Sequence, residues 1–528
     1  MRRRALLGWG LASAAAGCER PAQHDHWPGG WLGAAGSRGH RLRNGLDHLP
    51  VPAITRRAQV IVVGAGIGGL AAARALEQAG IDDIQLLELE DSAGGNSRAH
   101  AMAGMACPLG AHYLPVPGEQ AHEVAQLLEA LGLMRWRAGR WSYDERHLCH
   151  SPKERLFIDG AWVDGLLPPA PAGSATLQQY RRFARLVAQA QKELGFAMPT
   201  RRARWTAGHA ALDAQTFAHW LQAQGLDDAR LHWYLHYCCR DDYGADAATV
   251  SAWAGLHYFA SRHGFHAPGD DEAEREPVFT WPEGNAWLAR RLAQPFADRL
   301  HTGRTVLRVS EERHQVHVLA WDESQGRAEA WIAPHVVLAV PLFIAARLLD
   351  PVPAALAEVA RQQRHAPWLV VNLQLDEPLL DRPGGAPPSW DNVVHGADPR
   401  SLGYVDAMHQ SLRPAPGATV LTAYWALPES GRGALWTQPW STWAQRVVAD
   451  LAGVHPDLPA KLRRAELMRY GHAMSIPTRG LRSSAALHAL QMGTARVLFA
   501  HADLAAYSVF EEAYAAGVQA ARAVVQRR

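Results

Sequence analysis

A glycine triad set between a short apolar run and a helical stretch constrains this chain more than any other feature. Gln59-Val60-Ile61-Val62-Val63 reads as a buried parallel strand. Gly64-Ala65-Gly66-Ile67-Gly68-Gly69 follows at once, and residues 70–78 are good helix formers up to a stop at Gly80. In Gly64-x-Gly66-x-x-Gly69 the first glycine turns the chain tightly and the second lets a pyrophosphate approach the backbone. The third lets helix and strand pack closely. The helix start, through Ile67 and Gly68, offers free N–H groups and a partial positive charge to phosphates. A second strand over residues 84–87 ends at Glu88, nineteen residues after Gly69, where an acidic side chain accepts hydrogen bonds from a ribose. The pattern predicts a dinucleotide site in a doubly wound domain. The alternative is such a domain whose glycine turn binds nothing.

The residues that follow discriminate between dinucleotides. Glu88-Leu89-Glu90-Asp91-Ser92-Ala93-Gly94-Gly95-Asn96-Ser97-Arg98 resembles the second flavin-binding signature of the flavin amine oxidase, phytoene desaturase and protoporphyrinogen oxidase superfamily. That resemblance implies FAD, with Gly95, Asn96 and Arg98 near its phosphates. The sequence departs from the signature in having Asn96 after the glycine pair and its arginine two positions later. Gly110-Ala111-His112-Tyr113 is similar to the superfamily segment that passes beside the flavin ring; a plain strand and turn is the other reading. Three strand-like runs, 305–309, 316–319 and 335–341, resemble the superfamily's three-stranded insertion, in which Val306 takes the position of a valine that contacts adenine. Near the C-terminus a strand leads to Asp503, which resembles the family's acidic residue at the FAD. Helix 510–525 would then point its N-terminus at the flavin, its dipole favouring negative charge there. Glu511-Glu512-Ala513 with Gly517 resembles the terminal Glu-Gly-Ala-x-x-x-Gly pattern, although Glu512 replaces the first glycine and His501 stands where glycine is usual. The resemblance implies an α/β fold. A Rossmann-like FAD-binding domain (58–118, 276–341 and 483–528) carries a mixed α+β substrate domain inserted in two segments (119–275 and 342–482).

Upstream of the motif, Met1-Arg2-Arg3-Arg4 and the apolar residues 5–16 read as an export signal. Arg3 and Arg4 resemble a twin-arginine pair. Ala15-Ala16-Gly17-Cys18 resembles a lipoprotein cleavage box, which would make residues 1–18 a leader and Cys18 a lipid-bearing membrane tether on the periplasmic side. An ordinary cleavable signal and a soluble exported protein is the alternative. Residues 19–57 are rich in Gly, Pro, His and Arg without a sustained period and read as a tether. Fifty-three basic against fifty-one acidic residues leave a formal charge of +2, which gives no bias toward nucleic acid. Cys107, Cys149, Cys238 and Cys239 are too few for a disulfide scaffold in a chain this long. No C-x-x-C or H-E-x-x-H is present, and His24, His26, His40 and His48 read as linker residues, with metal binding as the alternative.

Residues 231–244, LHWYLHYCCRDDYG, form a dense aromatic run beside two carboxylates. It reads as a buried helix with Asp241 or Asp242 paired to Arg240, or as the lining of a pocket for a hydrophobic or cationic ligand. The superfamily resemblance implies hydride transfer to FAD, with the protein supplying orientation and electrostatics. Its amine oxidases place a lysine near the flavin. The matching run here, Ala366-Pro367-Trp368-Leu369-Val370-Val371, has none, and Trp368 takes the nearest position. Tyr507 stands where the family puts an aromatic wall of the substrate cage. The expectation is an FAD-dependent oxidoreductase of amine-oxidase type, working on a small-molecule amine as a dehydrogenase with a membrane-side electron acceptor. The alternatives are a desaturase or isomerase of an apolar polyene, and a flavoprotein that serves only as an electron-transfer or assembly partner.

Overall fold

The computed structural model describes residues 27–33, 36–44, 48–269, 277–382, 384–413 and 415–528. The leader expectations at Arg3, Arg4 and Cys18 lie outside the described residues. At the centre is a five-stranded sheet in the order Leu300–His301, Ile84–Leu87, Val60–Val63, His335–Leu338, Val497–Phe499, with every pairing parallel. Its middle strands are unbroken apolar runs because both faces are covered. Val60 and Val62 pack under the helices Ile67–Gln78 and Phe510–Gln526. Ile61 and Val63 face the opposite layer, with Val318, Leu342 and Leu356. The two helices approach unusually closely: a Cβ on Gly517 would stand 2.2 Å from the Gly68 carbonyl oxygen.

That opposite layer combines a four-stranded sheet with the helices Leu342–Leu348 and Ala354–Gln362. Arg304–Glu311, Val316–Asp322 and Arg327–Ala333 run antiparallel, and Ile54–Arg57 joins parallel to the last. The expected third strand of this insertion, 335–341, instead enters the central sheet as His335–Leu338. Arg327–Ala333 takes its place. Its polar residues at alternate positions hide the strand from an apolar-run reading, whereas the unbroken run at 335 suits a strand buried on both faces.

The expected tether at 19–57 is also corrected for its described part. Gly29–Trp31 adds in parallel to Leu462–Ile476, with Gly29 opposite Ala465, and Ile54–Arg57 pairs with Glu329 to Ile332. Between them the helix Gly36–Asn44 brings Arg38 to Asp91 at 2.7 Å and Arg41 to Glu323 at 2.7 Å. The segment is strapped across both sheets by backbone pairing, which needs no side-chain periodicity.

A mixed eight-stranded sheet forms the second half of the molecule, with Arg364–Leu375 near its middle between Leu462–Ile476 and Thr419–Ala426. Against it pack five helices, Ala175–Leu194, Ala207–Asp213, Phe217–Ala223, Ala229–Tyr243 and Ala252–Ala260, around an aromatic core that includes Tyr180, Phe183 and Phe217. Local chemistry sets the limits of the aromatic helix. Asp228 Oδ1 accepts from the Leu231 N–H at 2.9 Å at its start, and Gly244 in the left-handed region (φ 65°) ends it. Cys107, Cys238 and Cys239 are buried free thiols and Cys149 is half-buried. Among the described residues no helix is long and apolar enough to cross a membrane, and no group of three or more His, Cys, Asp or Glu is placed to hold a metal.

Candidate active site

Where the central sheet meets the eight-stranded sheet, one continuous cavity of about 480 Å³ runs from Glu88 and Val306 to Trp368, Tyr424 and Glu511. Its first end is built by the two glycine turns. Gly64 has φ +96°, and a Cβ there would meet the Ala339 carbonyl oxygen at 2.5 Å. Gly95 has φ +58° and lies so close to Gly66 that a Cβ would stand 3.2 Å from its Cα. The Gly94 N–H donates to the Ala65 carbonyl at 2.8 Å, which latches the second turn onto the first. Gly66 caps the helix without a side-chain bond, so the first helical N–H groups are left for a ligand. Glu88 is 7 % exposed; its carboxylate accepts from the Ala65 and Glu90 N–H groups at 2.7 and 2.9 Å. Burial raises its carboxyl against the pull of those two bonds. A pair of bare glycine turns and an uncapped helix start supply donors, and an acidic side chain supplies an acceptor, in the pattern that suits an elongated dinucleotide.

The middle of the cavity is a strip of backbone fixed from both sides. Tyr470 and Tyr424 donate through their hydroxyls to the Leu109 and Gly110 carbonyls at 2.8 and 2.9 Å. A Cβ on Gly110 would meet the Asn96 carbonyl oxygen at 2.2 Å, and the Ala111 N–H donates to that same oxygen at 2.9 Å. His112 stacks on Tyr424 with centroids 4.4 Å apart, and burial pushes its imidazole down to about 3, so the ring is neutral. Tyr113 directs its hydroxyl to Asp241.

On the far side Asp503 is fully buried. Its carboxylate accepts from the Leu342 N–H at 2.9 Å and lies 3.3 Å from His365 Nε2. Burial alone would raise this carboxyl, but His501 and His365 beside it outweigh burial and hold it far below the usual carboxylate range.

The family described as flavin-containing amine oxidoreductase matches this chain over residues 67–525. The chain belongs to that family. Polyamine oxidase 6 of Oryza sativa subsp. japonica is 31% identical over 111 residues, which is 21% of this chain and 21% of the rice protein. The chain therefore matches about a fifth of that relative's length. A solved structure of a redesigned putrescine oxidase double mutant shares the fold with TM-score 0.65 at 21% identity, covering 89% of this chain and 100% of its own. Cyclohexylamine oxidase from Brevibacterium oxydans IH-35A does so with TM-score 0.66 at 17% identity, covering 89% and 99%. At these identities the structural likeness is one of fold.

As a flavin-containing amine oxidoreductase the chain is an enzyme that uses FAD, and the cavity is where its predicted site residues meet. Gly64, Gly66, Ile67 and Gly68 line it, as do Glu88, Gly95 and Asn96. So do the strip from Gly110 through Ala111 and His112 to Tyr113, and, around it, Val306, Trp368, Asp503 and Ala513. Gly69 does not; it is the packing glycine, its missing Cβ allowing contact with Gly64. Three expectations need correction. Arg98 does not line the cavity, because its guanidinium is taken by the Gly95 carbonyl at 3.0 Å and by Glu90 at 3.2 Å. It braces the second glycine turn from behind. Tyr507 is 1 % exposed and faces the core, where its hydroxyl donates to Glu512 Oε1 and meets His257 Nε2, both at 2.9 Å. Glu512 points the same way and also accepts from the Thr200 N–H at 2.6 Å. One residue is about 100° of helix, so Glu511 takes the cavity side instead.

Tyr424 and Tyr470 are cavity residues missed from sequence, while Glu511, Asp241 and His365 line the cavity without having been assigned to the site. Asp242 pairs with Arg262 at 2.9 Å and not with Arg240, which leaves Asp241 to the cavity. The aromatic helix is therefore both things that its sequence allowed: core along most of its length and cavity wall at its last turn.

Proposed function

We propose that this chain is an FAD-dependent amine dehydrogenase, which oxidises a small amine at the carbon beside nitrogen and passes the electrons to an acceptor other than oxygen. Bound FAD would supply the hydride acceptor; the residues supply everything else. Glu88 would hold the ribose hydroxyls, and the uncapped starts of helices Ile67–Gln78 and Phe510–Gln526 would face the phosphates and the ring system. The substrate would lie among Tyr113, the neutral His112, Tyr424 and Trp368, ring faces that hold an apolar amine body and attract its cation. The names of the relatives, polyamine, putrescine and cyclohexylamine oxidases, support an amine. An apolar polyene fits less well, because it would leave the cavity carboxylates Asp241 and Glu511 without a cation.

The observation that carries the dehydrogenase reading is the cavity face of Arg364–Leu375. It presents His365 and Trp368, and none of the chain's three lysines (Lys153, Lys192 and Lys461) lines the cavity. Arg364, the other nearby cation, is turned out to Glu429. Without a fixed ammonium, oxygen reduction loses preorganised stabilisation of negative charge, an effect worth on the order of a hundredfold in rate. With the export leader read from the sequence, the proposed acceptor is a membrane-side carrier of quinone type. Stopped-flow reoxidation of the amine-reduced enzyme tests this. The expected result is reoxidation by a water-soluble quinone on the order of a hundredfold faster than by air-saturated buffer. Fast reoxidation in air with stoichiometric peroxide would make the enzyme an oxidase.

A further inference from the structure

One end of the cavity carries more carboxylate than the chain neutralises. Asp241 and Asp242 come from the last turn of Ala229–Tyr243, Arg262 from just after Ala252–Ala260, and Glu511 from the first turn of Phe510–Gln526; all four line the cavity. Arg262 is paired first with Asp242. It donates to Asp242 Oδ2 and to the Tyr258 carbonyl, both at 2.9 Å, and stacks 4.6 Å from the Tyr258 ring centroid. Asp241 is met by the Tyr113 hydroxyl. Glu511 is 4 % exposed, and among the described residues its carboxylate is bonded only by its own backbone N–H. Trp368 is a second buried cavity residue with an unused polar atom, its Nε1–H. A carboxylate this buried, with no side-chain hydrogen bond among the described residues and facing the cavity, calls for a cation from outside the chain.

We propose that Glu511 is the proton acceptor for the substrate: it receives the ammonium group of an alkylammonium ion and releases it in the cavity as the free amine. In this step one N–H bond breaks, its electron pair stays on nitrogen, and the proton passes to a Glu511 carboxylate oxygen. The step matters because an ammonium has no lone pair to assist departure of hydride from the neighbouring carbon. An alkylamine with pKa near 10 arrives almost wholly as the cation at neutral pH. The local electrostatics suit a base: burial raises the Glu511 carboxyl to about 7, close to the working pH that general-base catalysis favours. Arg262 pulls it down, while Asp242 and Glu512 push it up. Asp241, itself raised to about 7 by burial and then by Asp242, shares the same wall with Tyr113. The inference rests on the amine reading above.

The test is the anaerobic second-order rate of flavin bleaching by cyclohexylamine and by putrescine, from about pH 6 to about pH 9. In the wild-type holoenzyme this rate should rise to a bend near pH 7 and then level, since base and cation are both plentiful above it. In Glu511→Gln only free amine is productive, so the rate should fall at least about tenfold at pH 7 and climb about tenfold per pH unit without a bend. Glu511→Asp should restore the bend. A Glu511→Gln enzyme that keeps both the bend and the rate would overturn the assignment. A second measurement needs no variant. Binding of tert-butylamine, which has no hydrogen on the carbon beside nitrogen, should release no proton to an indicator at about pH 8. Release of one proton per amine bound would mean that the site takes free base unaided and would also overturn it. If cyclohexylamine, putrescine and benzylamine all leave the wild-type flavin oxidised, the amine reading itself has failed.

Discussion

Replacing Gly69 with alanine should destabilise the protein by about 2 kcal/mol and leave most of it without FAD. Two effects compete. Alanine is favoured over glycine by about 1 kcal/mol inside a helix. The new Cβ, however, would stand 1.9 Å from the Gly64 carbonyl oxygen, 3.0 Å from its carbon and 3.1 Å from the Ala339 Cβ. All but the last are backbone atoms, so no rotamer change relieves the contact; helix and strand must separate. Overpacking that moves backbone costs about 1–3 kcal/mol and sometimes more, and here the shift also opens the phosphate turn. Gly118→Ala is the control, because nothing lies within 4 Å of a Cβ there. The FAD-to-protein ratio and the thermal midpoint of the purified variants read both effects. A Gly69→Ala protein with full FAD and an unchanged midpoint would contradict the packing account.

The second large effect is expected at Asp503. Asp503→Ala removes a fully buried carboxylate and leaves the Leu342 N–H and the His365 imidazole without their partner. Breaking a buried pair from one side costs about 3–5 kcal/mol, and the wall of the cavity goes with it. Asp503→Asn, which keeps the shape and one acceptor oxygen, should lose less. The pH dependence has a definite sign. The folded carboxyl is held below its unfolded value of 3.8. Its contribution is therefore fully present above that value and is lost as pH falls through the folded pKa. Denaturation midpoints of wild type and Asp503→Ala should differ by a constant amount from neutral pH down to about pH 5 and converge only in stronger acid. A difference that vanished already at about pH 6 would show that the Asp503 carboxylate is not its source.

The cofactor end of this protein was legible because its chemistry is local. Gly64, Gly66, Gly69 and Glu88 lie on one strand–turn–helix–strand unit, and their spacing encodes backbone geometry directly. The strands at residues 29–31 and 54–57 were not legible. Their partners are Ala465 and Glu329, hundreds of residues away, and edge pairing through backbone leaves no side-chain pattern. Arg98 was misplaced for a related reason. Its position in the signature was readable, but not that Glu90 would claim it. At the substrate end the residues that line the cavity differ from those expected. Tyr507 and Glu512 satisfy each other in the core, while Glu511 one position away lines the cavity. Asp241 shows the same limit: only the pairing of Asp242 with Arg262, twenty residues on, decides which carboxylate is left free. Directions of neighbouring side chains on a helix depend on what the helix packs against, and that is settled by tertiary contacts.

The central claim is that FAD held between the two glycine turns takes a hydride from an amine in the adjoining cavity. An anaerobic spectral titration of the purified holoenzyme tests it most directly, using cyclohexylamine, putrescine and benzylamine with tert-butylamine as the blank. The account predicts that at least one of the three bleaches the visible flavin band completely, and that tert-butylamine leaves it oxidised. A flavin that stays oxidised with every amine, in enzyme whose FAD is still reduced by dithionite, would contradict it.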